Sequence, residues 1–397
     1  MAIPNPDGPP VFSSQDLEVL APLRAGIAGS RADLAKSTGL SPSTVTARVD
    51  HLIGGGHLVE SGKGESSGGR RPRRLQLNGA AGSIGCVDVG IDRTTVALVD
   101  LAGRLLATRH LAVDIAGVPE AALRQVAGGL RALLDETPAA PVLRGASIAL
   151  PGPVSVETGR LVSPSRMPGW NGTDAAAALT AELHVPALAG NDANLMALGE
   201  YIQGRPADRD QVFVKAGFGI GCGIISGGAL YTGSTGAAGD ISHVAIPGAA
   251  PIPCSCGRTG CLDALASGSA LARGMREMGH AVHDVDAVIA MGRDGNPDAT
   301  RLLREAGVMT GGVLGTIVNF FNPHRLVIGG ALSRSDVFIS GIRSKIWADC
   351  MPMATDQLEV TTPRDADTGG IRGAGQVFLD AFFSTPHASA IERISSS

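Results

Sequence analysis

The 397-residue chain contains no apolar run that approaches the roughly 18 residues of a membrane span, so no membrane partner is expected. Excess positive charge is missing too. Thirty-three Lys and Arg stand against 37 Asp and Glu, a net of −4, so any nucleic-acid contact has to be a local patch rather than a basic coat. Residues Met1 to Pro10 lack the basic-then-apolar order of an export signal, so a cytoplasmic, reducing location is expected. No short-period repeat is present, and no low-complexity tract beyond the serine-ended tail. What is abundant is glycine: 55 residues, about twice the usual ~7% share and without a collagen period. Tight turns and backbone-lined ligand loops follow from that. The length has room for two or three domains.

The most informative segment is Cys254-Ser255-Cys256-Gly257-Arg258-Thr259-Gly260-Cys261, preceded by His243. Three thiols and an imidazole at C-x-C-x4-C spacing suit a closed, tetrahedral Zn²⁺ site with four N/S ligands and no open position. Gly257 and Gly260 let the backbone fold back so that the sulfurs converge. The alternatives are ordinary buried cysteines or a disulfide, and the expected reducing location disfavours the disulfide. Such a metal would be structural.

The chain divides near residue 78. Residues 13–78 carry helical periodicity and then a basic Gly/Ser-rich stretch, residues 84–397 open with β-rich sequence, and Asn78 to Gly82 form a turn or linker. Within the first part Ser30 to Asp33 open a helix, Gly39 stops it, and Ser41 caps a second helix with Pro42 at its first position. Val45, Val49 and Leu52 recur on the core face, leaving Ser43, Thr44, Thr46 and Arg48 on the others. This is a helix-turn-helix pattern, although a plain helical hairpin reads similarly. A short strand at 57–60, a tip holding Lys63, Arg70, Arg71, Arg73 and Arg74, and a return strand at 75–77 add a cationic wing. The DNA-facing candidates are Ser41, Ser43, Thr44, Thr46 and Arg48 with Arg70, Arg71 and Arg73. Upstream, Leu17, Leu20 and Leu23 mark a supporting helix that Pro22 kinks or delays.

In the larger part, strands are expected at 84–89, 94–99, 105–107, 145–150, 185–189 and 211–216. Helices are expected at about 118–134, 173–184 and 192–203, and a long helix at 297–321 precedes a strand at 325–328. Strands first and alternation afterwards indicate an α/β architecture. Several short runs are distinctive: Pro151-Gly152-Pro153, Pro168-Gly169-Trp170, Gly190-Asn191-Asp192-Ala193-Asn194, Gly217-Phe218-Gly219-Ile220-Gly221 and Ala238-Gly239-Asp240-Ile241-Ser242-His243.

In order and spacing, these runs and the cysteine cluster resemble the repressor–open reading frame–kinase (ROK) family in its regulator form, over nearly the whole length. The resemblance implies a winged helix-turn-helix followed by an α/β two-lobed actin-like, ribonuclease H-like sugar-kinase fold. It also implies one structural Zn²⁺ per chain on His243, Cys254, Cys256 and Cys261, in a loop spanning 243–263. Asp192 matches the position that takes the proton from the attacking sugar hydroxyl, as a carboxylate must. Asn191, Asp240, His243 and Asp263 match the rest of the sugar pocket. Each also admits a plainer role: Asp192 as a helix cap, Asp263 as a partner of the zinc loop.

The phosphate side departs from the family. Where its kinases carry Asp-x-Gly-Gly-Thr, this chain has Asp88-Val89-Gly90-Ile91-Asp92-Arg93, and Phe218 stands in place of a threonine. Bulk and a carboxylate at a phosphate loop argue against turnover, so no catalytic residue and no ATP are expected, and Asp192 is a vestigial base. Arg166, where many relatives have asparagine, is open to an anionic or acetamido sugar or to an ion pair. The expected function is a sugar-responsive regulator, a repressor, that binds double-stranded operator DNA as a homodimer or tetramer. The competing readings are an ATP-dependent hexose or N-acetylhexosamine kinase with an accessory DNA-binding head, and a constitutive DNA-binding protein whose large part only dimerises.

Overall fold

The computed structural model describes residues 12–63, 73–91, 93–205 and 207–384. Arg70, Arg71 and Asp92 lie outside the described residues, and Arg73 within them.

The head opens with α1 (Ser14–Arg24), whose N-terminus Ser13 and Asp16 close in a reciprocal capping box. Pro22 does not delay this helix, because the helix opens at Ser14 and the proline falls in its last turn. There its missing N–H removes one rung, the ladder closes with Ala25 N on Ala21 O at 3.0 Å, and the Pro22 carbonyl takes the N–H groups of Ile27 and Ala28 at 2.9 and 3.2 Å. Ser30 caps α2 (Arg31–Thr38), Gly39 terminates it at φ +73°, and Ser41 caps α3 (Pro42–Gly54). Val45, Val49 and Leu52 of α3 are buried as the periodicity requires. β1 (Leu58–Lys63) and β2 (Arg73–Leu77) pair antiparallel, with Leu58 opposite Leu77.

The linker is tied down. The Asn78 side chain accepts from Ala80 N and donates to the Gly56 carbonyl at 2.7 Å. A Cβ on Gly79 would meet the Asp100 carboxylate at 2.2 Å, so the chain is threaded close against the next lobe.

That lobe is built from β3 (Ser83–Val89), β4 (Thr94–Asp100), β5 (Leu105–Leu111), α4 (Pro119–Asp135), β6 (Leu143–Leu150), α5 (Ala175–Leu183) and β7 (Ala187–Asn191). Its sheet runs β5-β4-β3-β6-β7, with β3, β6 and β7 parallel. The chain crosses on α6 (Asp192–Ile202) to the second lobe: β8 (Gln211–Ala216), β9 (Ile220–Ser226), β10 (Ala229–Tyr231), α7 (Leu262–Ala266), α8 (Gly268–Glu277), α9 (Val285–Arg293), α10 (Pro297–Phe321), β11 (Arg325–Gly329), α11 (Asp336–Asp349), α12 (Pro352–Thr355) and β12 (Glu359–Thr361). Its sheet order is β10-β9-β8-β11-β12, with β8, β11 and β12 parallel.

α13 (Gly369–Phe382) then crosses back. It lies against α6 so closely that a Cβ on Gly373 would sit 1.8 Å from the Leu195 carbonyl. Its far end enters the head. Phe12 stacks on Phe383 at 5.3 Å and meets Phe382 edge-on at 5.7 Å, while Arg24 bonds Asp380 at 2.6 Å. One apolar core therefore runs from Leu20, Leu34 and Leu52 of the head through Phe378 to Ile84 and Ala97 of the first lobe.

Candidate functional site

A cleft of about 1240 Å³ separates the lobes, and Asn191, Asp192, Asp240, His243 and Asp263 all line it. They reach it from different elements. β7 runs straight into α6, so Asn191 caps that helix, accepting from Asn194 N at 3.1 Å. Its amide also donates to the Gly152 carbonyl at 3.1 Å. The cap role considered for Asp192 thus belongs to Asn191. Asp192 is the first helical residue and is buried, with one oxygen accepting from Ala193 N at 2.7 Å. Its other oxygen holds the Lys215 ammonium.

Lys215 escaped the sequence reading, where it is a lone charge inside the apolar run of β8. Burial works against its charge, but Asp192 and Asp88 outweigh that and leave its pKa above the ordinary lysine value. Asp88 at the end of β3 is pushed up to about 6 by burial, which the Lys215 charge only partly offsets.

Asp263 starts α7, and its position is fixed by backbone pairing: Asp263 N donates to Ser242 O at 2.9 Å and Leu262 N to Val244 O at 2.9 Å. The same pairing sets His243 beside it. Asp240 is exposed in the cleft mouth, where it takes the Ser242 hydroxyl. Gly239, at φ +89°, is required there, because a Cβ would stand 2.2 Å from the Cys222 carbonyl.

Arg166 reaches across from the first lobe. Its guanidinium bonds the Asp263 carboxylate, approaches the Ser269 hydroxyl at 3.4 Å and lies 5.0 Å over the Phe218 ring. Trp170 of the neighbouring Pro-Gly-Trp run is core instead, donating its indole N–H to Ile115 O at 2.9 Å. Of the sequence alternatives for Arg166, the ion pair is present, and its partner is a pocket acid rather than a surface one.

Beside the cleft, His243, Cys254, Cys256 and Cys261 bring their ligand atoms within 4.8 Å of one another. His243 Nδ1 is 3.5 Å from Cys254 Sγ, and Cys256 Sγ is 3.7 Å from Cys261 Sγ. A tetrahedron with bonds of ~2.3 Å to sulfur and ~2.0 Å to nitrogen has edges of about 3.5–3.8 Å, so the donor set fits Zn²⁺. A disulfide needs ~2.05 Å, and all six cysteines are free. The turn at Gly257, φ +86°, lets Cys254 N reach Arg258 O at 2.8 Å and folds the thiols inward. Burial disfavours the Cys256 thiolate, yet Arg258 and the neighbouring thiols hold its pKa down to about 7. With Nδ1 facing the cysteines, His243 keeps Nε2 as its remaining ring nitrogen.

The two phosphate-side loops also line the cleft. Ile91 packs against the first lobe's apolar core, and Phe218 stands 37% exposed at the β8–β9 turn. In the head, Ser41 and Thr44 are joined in the α3 cap, Ser43 and Thr46 are exposed, and Arg48 is half-buried, its Nε without a partner among the described residues. Arg73 is exposed but paired to Glu60, which also holds Arg31.

Residues 84–381 match the family model described as the ROK family. The chain is 29% identical over 357 residues to a xylose repressor of Bacillus spizizenii, covering 89% of this chain and 91% of that one. It is 26% identical over 343 residues to the DNA-binding transcriptional dual regulator NagC of Escherichia coli K12, covering 80% of each. Among solved structures, a ROK family transcriptional regulator described as a homologue of the E. coli MLC protein superposes with a TM-score of 0.77 at 22% identity, over 93% of this chain and 97% of the other. A Streptomyces griseus ROK family glucokinase, solved with glucose and AMPPNP, gives 0.64 at 22% identity over 75% of this chain and 99% of that one. The winged head on a two-lobed, actin-like body is therefore the fold of this chain.

Proposed function

Because the chain belongs to the ROK family and sets a winged helix-turn-helix before its cleft, we propose that it is a sugar-responsive DNA-binding repressor and not a kinase. The observation that carries this reading is α13, which touches both ends. At its start, a Cβ on Gly370 would stand 2.2 Å from Asp88 in the cleft, and at its end Phe383 stacks on Phe12 of the head. A ligand that alters how the lobes sit must alter the seat of the head, which is a coupling free energy between two sites. The DNA partner is a palindromic operator read by a homodimer or tetramer, with half-sites about 34 Å apart or a multiple of that.

The head supplies exposed Ser43 and Thr46 and half-buried Arg48 on α3, with Arg73 exposed at the start of β2. Replacing Ser43 and Thr46 together by glutamate sets two anions against the phosphates. Operator affinity is expected to fall at least about tenfold with the melting temperature unchanged. Unchanged affinity in an anisotropy titration would remove α3 from the interface.

Against phosphoryl transfer stands the Lys215 ammonium on Asp192. A base must take the hydroxyl proton, and the ion pair with Lys215 makes this carboxylate a weaker proton acceptor, although lone pairs remain for a sugar hydroxyl. Ile91 and Phe218 add bulk at the two phosphate loops. No sugar in a coupled ADP-release panel is expected to give turnover above background, and turnover abolished by Asp192→Asn would reinstate the kinase.

His243, Cys254, Cys256 and Cys261 would hold one Zn²⁺. When bound it supplies a closed structural centre and no open coordination position. Asn191, Asp192, Asp240, Asp263 and the second ring nitrogen of His243 would meet the sugar. The central test is footprinting of this protein on its own upstream DNA, with and without a sugar library. Protection that one sugar releases supports the reading, and protection indifferent to every sugar favours the constitutive alternative.

A further inference from the structure

Three ion pairs line the cleft: Asp286–Arg334 is exposed, Asp192–Lys215 and Asp263–Arg166 are largely buried, and the last joins the two lobes. We propose that Arg166 is the specificity-determining residue of the pocket and restricts its ligand to an uncharged, unphosphorylated monosaccharide. This rests on the sugar-sensing reading above and adds the chemical class.

The guanidinium is seated in a site built for it. Its three partners, Asp263, Ser269 and Phe218, all belong to the second lobe, whereas Arg166 belongs to the β6–α5 connection of the first. A Cβ on Gly219 would stand 2.9 Å from Arg166 Nε and 3.3 Å from Cζ, so the bare backbone there is the room the group occupies. Asp263 is immobile, since Ile220 N donates to its other oxygen at 3.0 Å and its side chain is 4% exposed.

Two consequences follow for a ligand. Each Asp263 oxygen already accepts one hydrogen bond, from Ile220 N and from Arg166, so hydroxyls reaching this wall share the remaining lone pairs with those donors and meet the other N–H groups of Arg166 beside them. The Arg166 charge is also cancelled by Asp263, as that of Lys215 is by Asp192, so neither is available to a phosphate. Among the described residues lining the cleft, Asp88, Asp240, Asp284 and Asp367 have no ion-pair partner, and Arg93 is the one cation without one. An incoming phosphate therefore meets an excess of negative charge. Phe218, with the guanidinium 5.0 Å over its ring, presents an apolar face to the cleft on the phosphate side. A neutral sugar loses nothing to either feature.

The test is titration calorimetry on the full chain with matched pairs: xylose and xylose 5-phosphate, glucose and glucose 6-phosphate, N-acetylglucosamine and its 6-phosphate. One neutral member is expected to bind, with its phosphate at least about tenfold weaker. Arg166→Gln should change the affinity ratio between the two best sugars at least about fivefold, because the Asp263 carboxylate loses its cationic partner and the hydroxyls lose the guanidinium donors. Arg166→Lys, which keeps the charge pair, should preserve the wild-type order at lower affinity. A merely structural arginine would shift stability in both variants and leave the ratio alone, and that result overturns the assignment. Equal or tighter binding of a phosphate by the wild type overturns it without touching the sugar-sensing reading. Heat from none of the six compounds overturns both.

Discussion

Gly373→Val is expected to destabilise the chain by about 3 kcal/mol or more and to abolish any ligand response of the head. The obstacle is main chain. A Cβ at Gly373 would sit 1.8 Å from the Leu195 carbonyl, and one at Gly199 would sit 1.9 Å from the Gly369 carbonyl. Neither can swing aside as a side chain does, so α6 and α13 would have to separate along their crossing. α6 begins at Asp192 in the cleft, and α13 carries Phe378 and Phe383 into the core shared with the head. Separating them strains the sugar site and unseats the head in one movement. Urea midpoints would measure the loss. The matched control is Gly128→Ala in the middle of α4, where a Cβ meets nothing within 4 Å. It should stabilise by about 0.5–1 kcal/mol through helix propensity alone. A Gly373 variant as stable as wild type would show that the helices slide freely, and the proposed route from cleft to head would fall with it. Gly199→Val should not add fully to Gly373→Val, since both break one contact.

The same crossing marks where sequence reading stops. Local signals carried the head: Ser30, Gly39 and Ser41 with Pro42 act within one turn of their own positions, and each sits where its chemistry requires. The cysteine cluster was legible for the same reason, its thiols lying within eight residues. By contrast Gly369 to Gly375 gave no expectation of a helix, because glycine opposes helix formation until a close neighbour rewards it. That neighbour, α6, lies about 175 residues earlier in the chain. Nor could the partners of the pocket acids be read. Arg166 and Asp263 are 97 positions apart, and Lys215 hides in a strand whose other residues are apolar or buried. Spacing identifies groups that act on near neighbours. It is silent about pairs that the topology alone brings together.

Cys256→Ser should release the metal proposed for the 243–263 loop and erase the sugar-dependent thermal shift, while leaving the lobes folded. The asymmetry comes from the loop's own resources. Apart from Leu262 and Ile246, which anchor its ends on the second-lobe core, its apolar cluster consists of Cys254, Cys261 and Ala264, with Ile252 and Cys256 only partly buried, too little to order the intervening turn unaided. For such a segment metal binding is folding free energy. The second lobe proper has its own core around Leu271, Leu303, Phe338 and Ile342, to which the loop adds only Leu262 and, at its margin, Ile246. Emission spectrometry is expected to find about one equivalent of zinc in the wild type and less than about a tenth in the variant. Limited proteolysis should open new cuts between Pro251 and Gly260 without changing the fragments of α10 or α11. Asp240 and His243 would lose their placement, because the pairing of Leu262 with Val244 and of Asp263 with Ser242 is what holds that segment in the cleft. Asp263 itself keeps Ile220 N and Arg166, so residual weak binding is compatible with the scheme, whereas a full-sized sugar response without metal is not. Zinc below about a fifth of an equivalent in protein purified without chelators would remove the metal from the site, since a closed four-ligand centre should not lose its ion in ordinary handling.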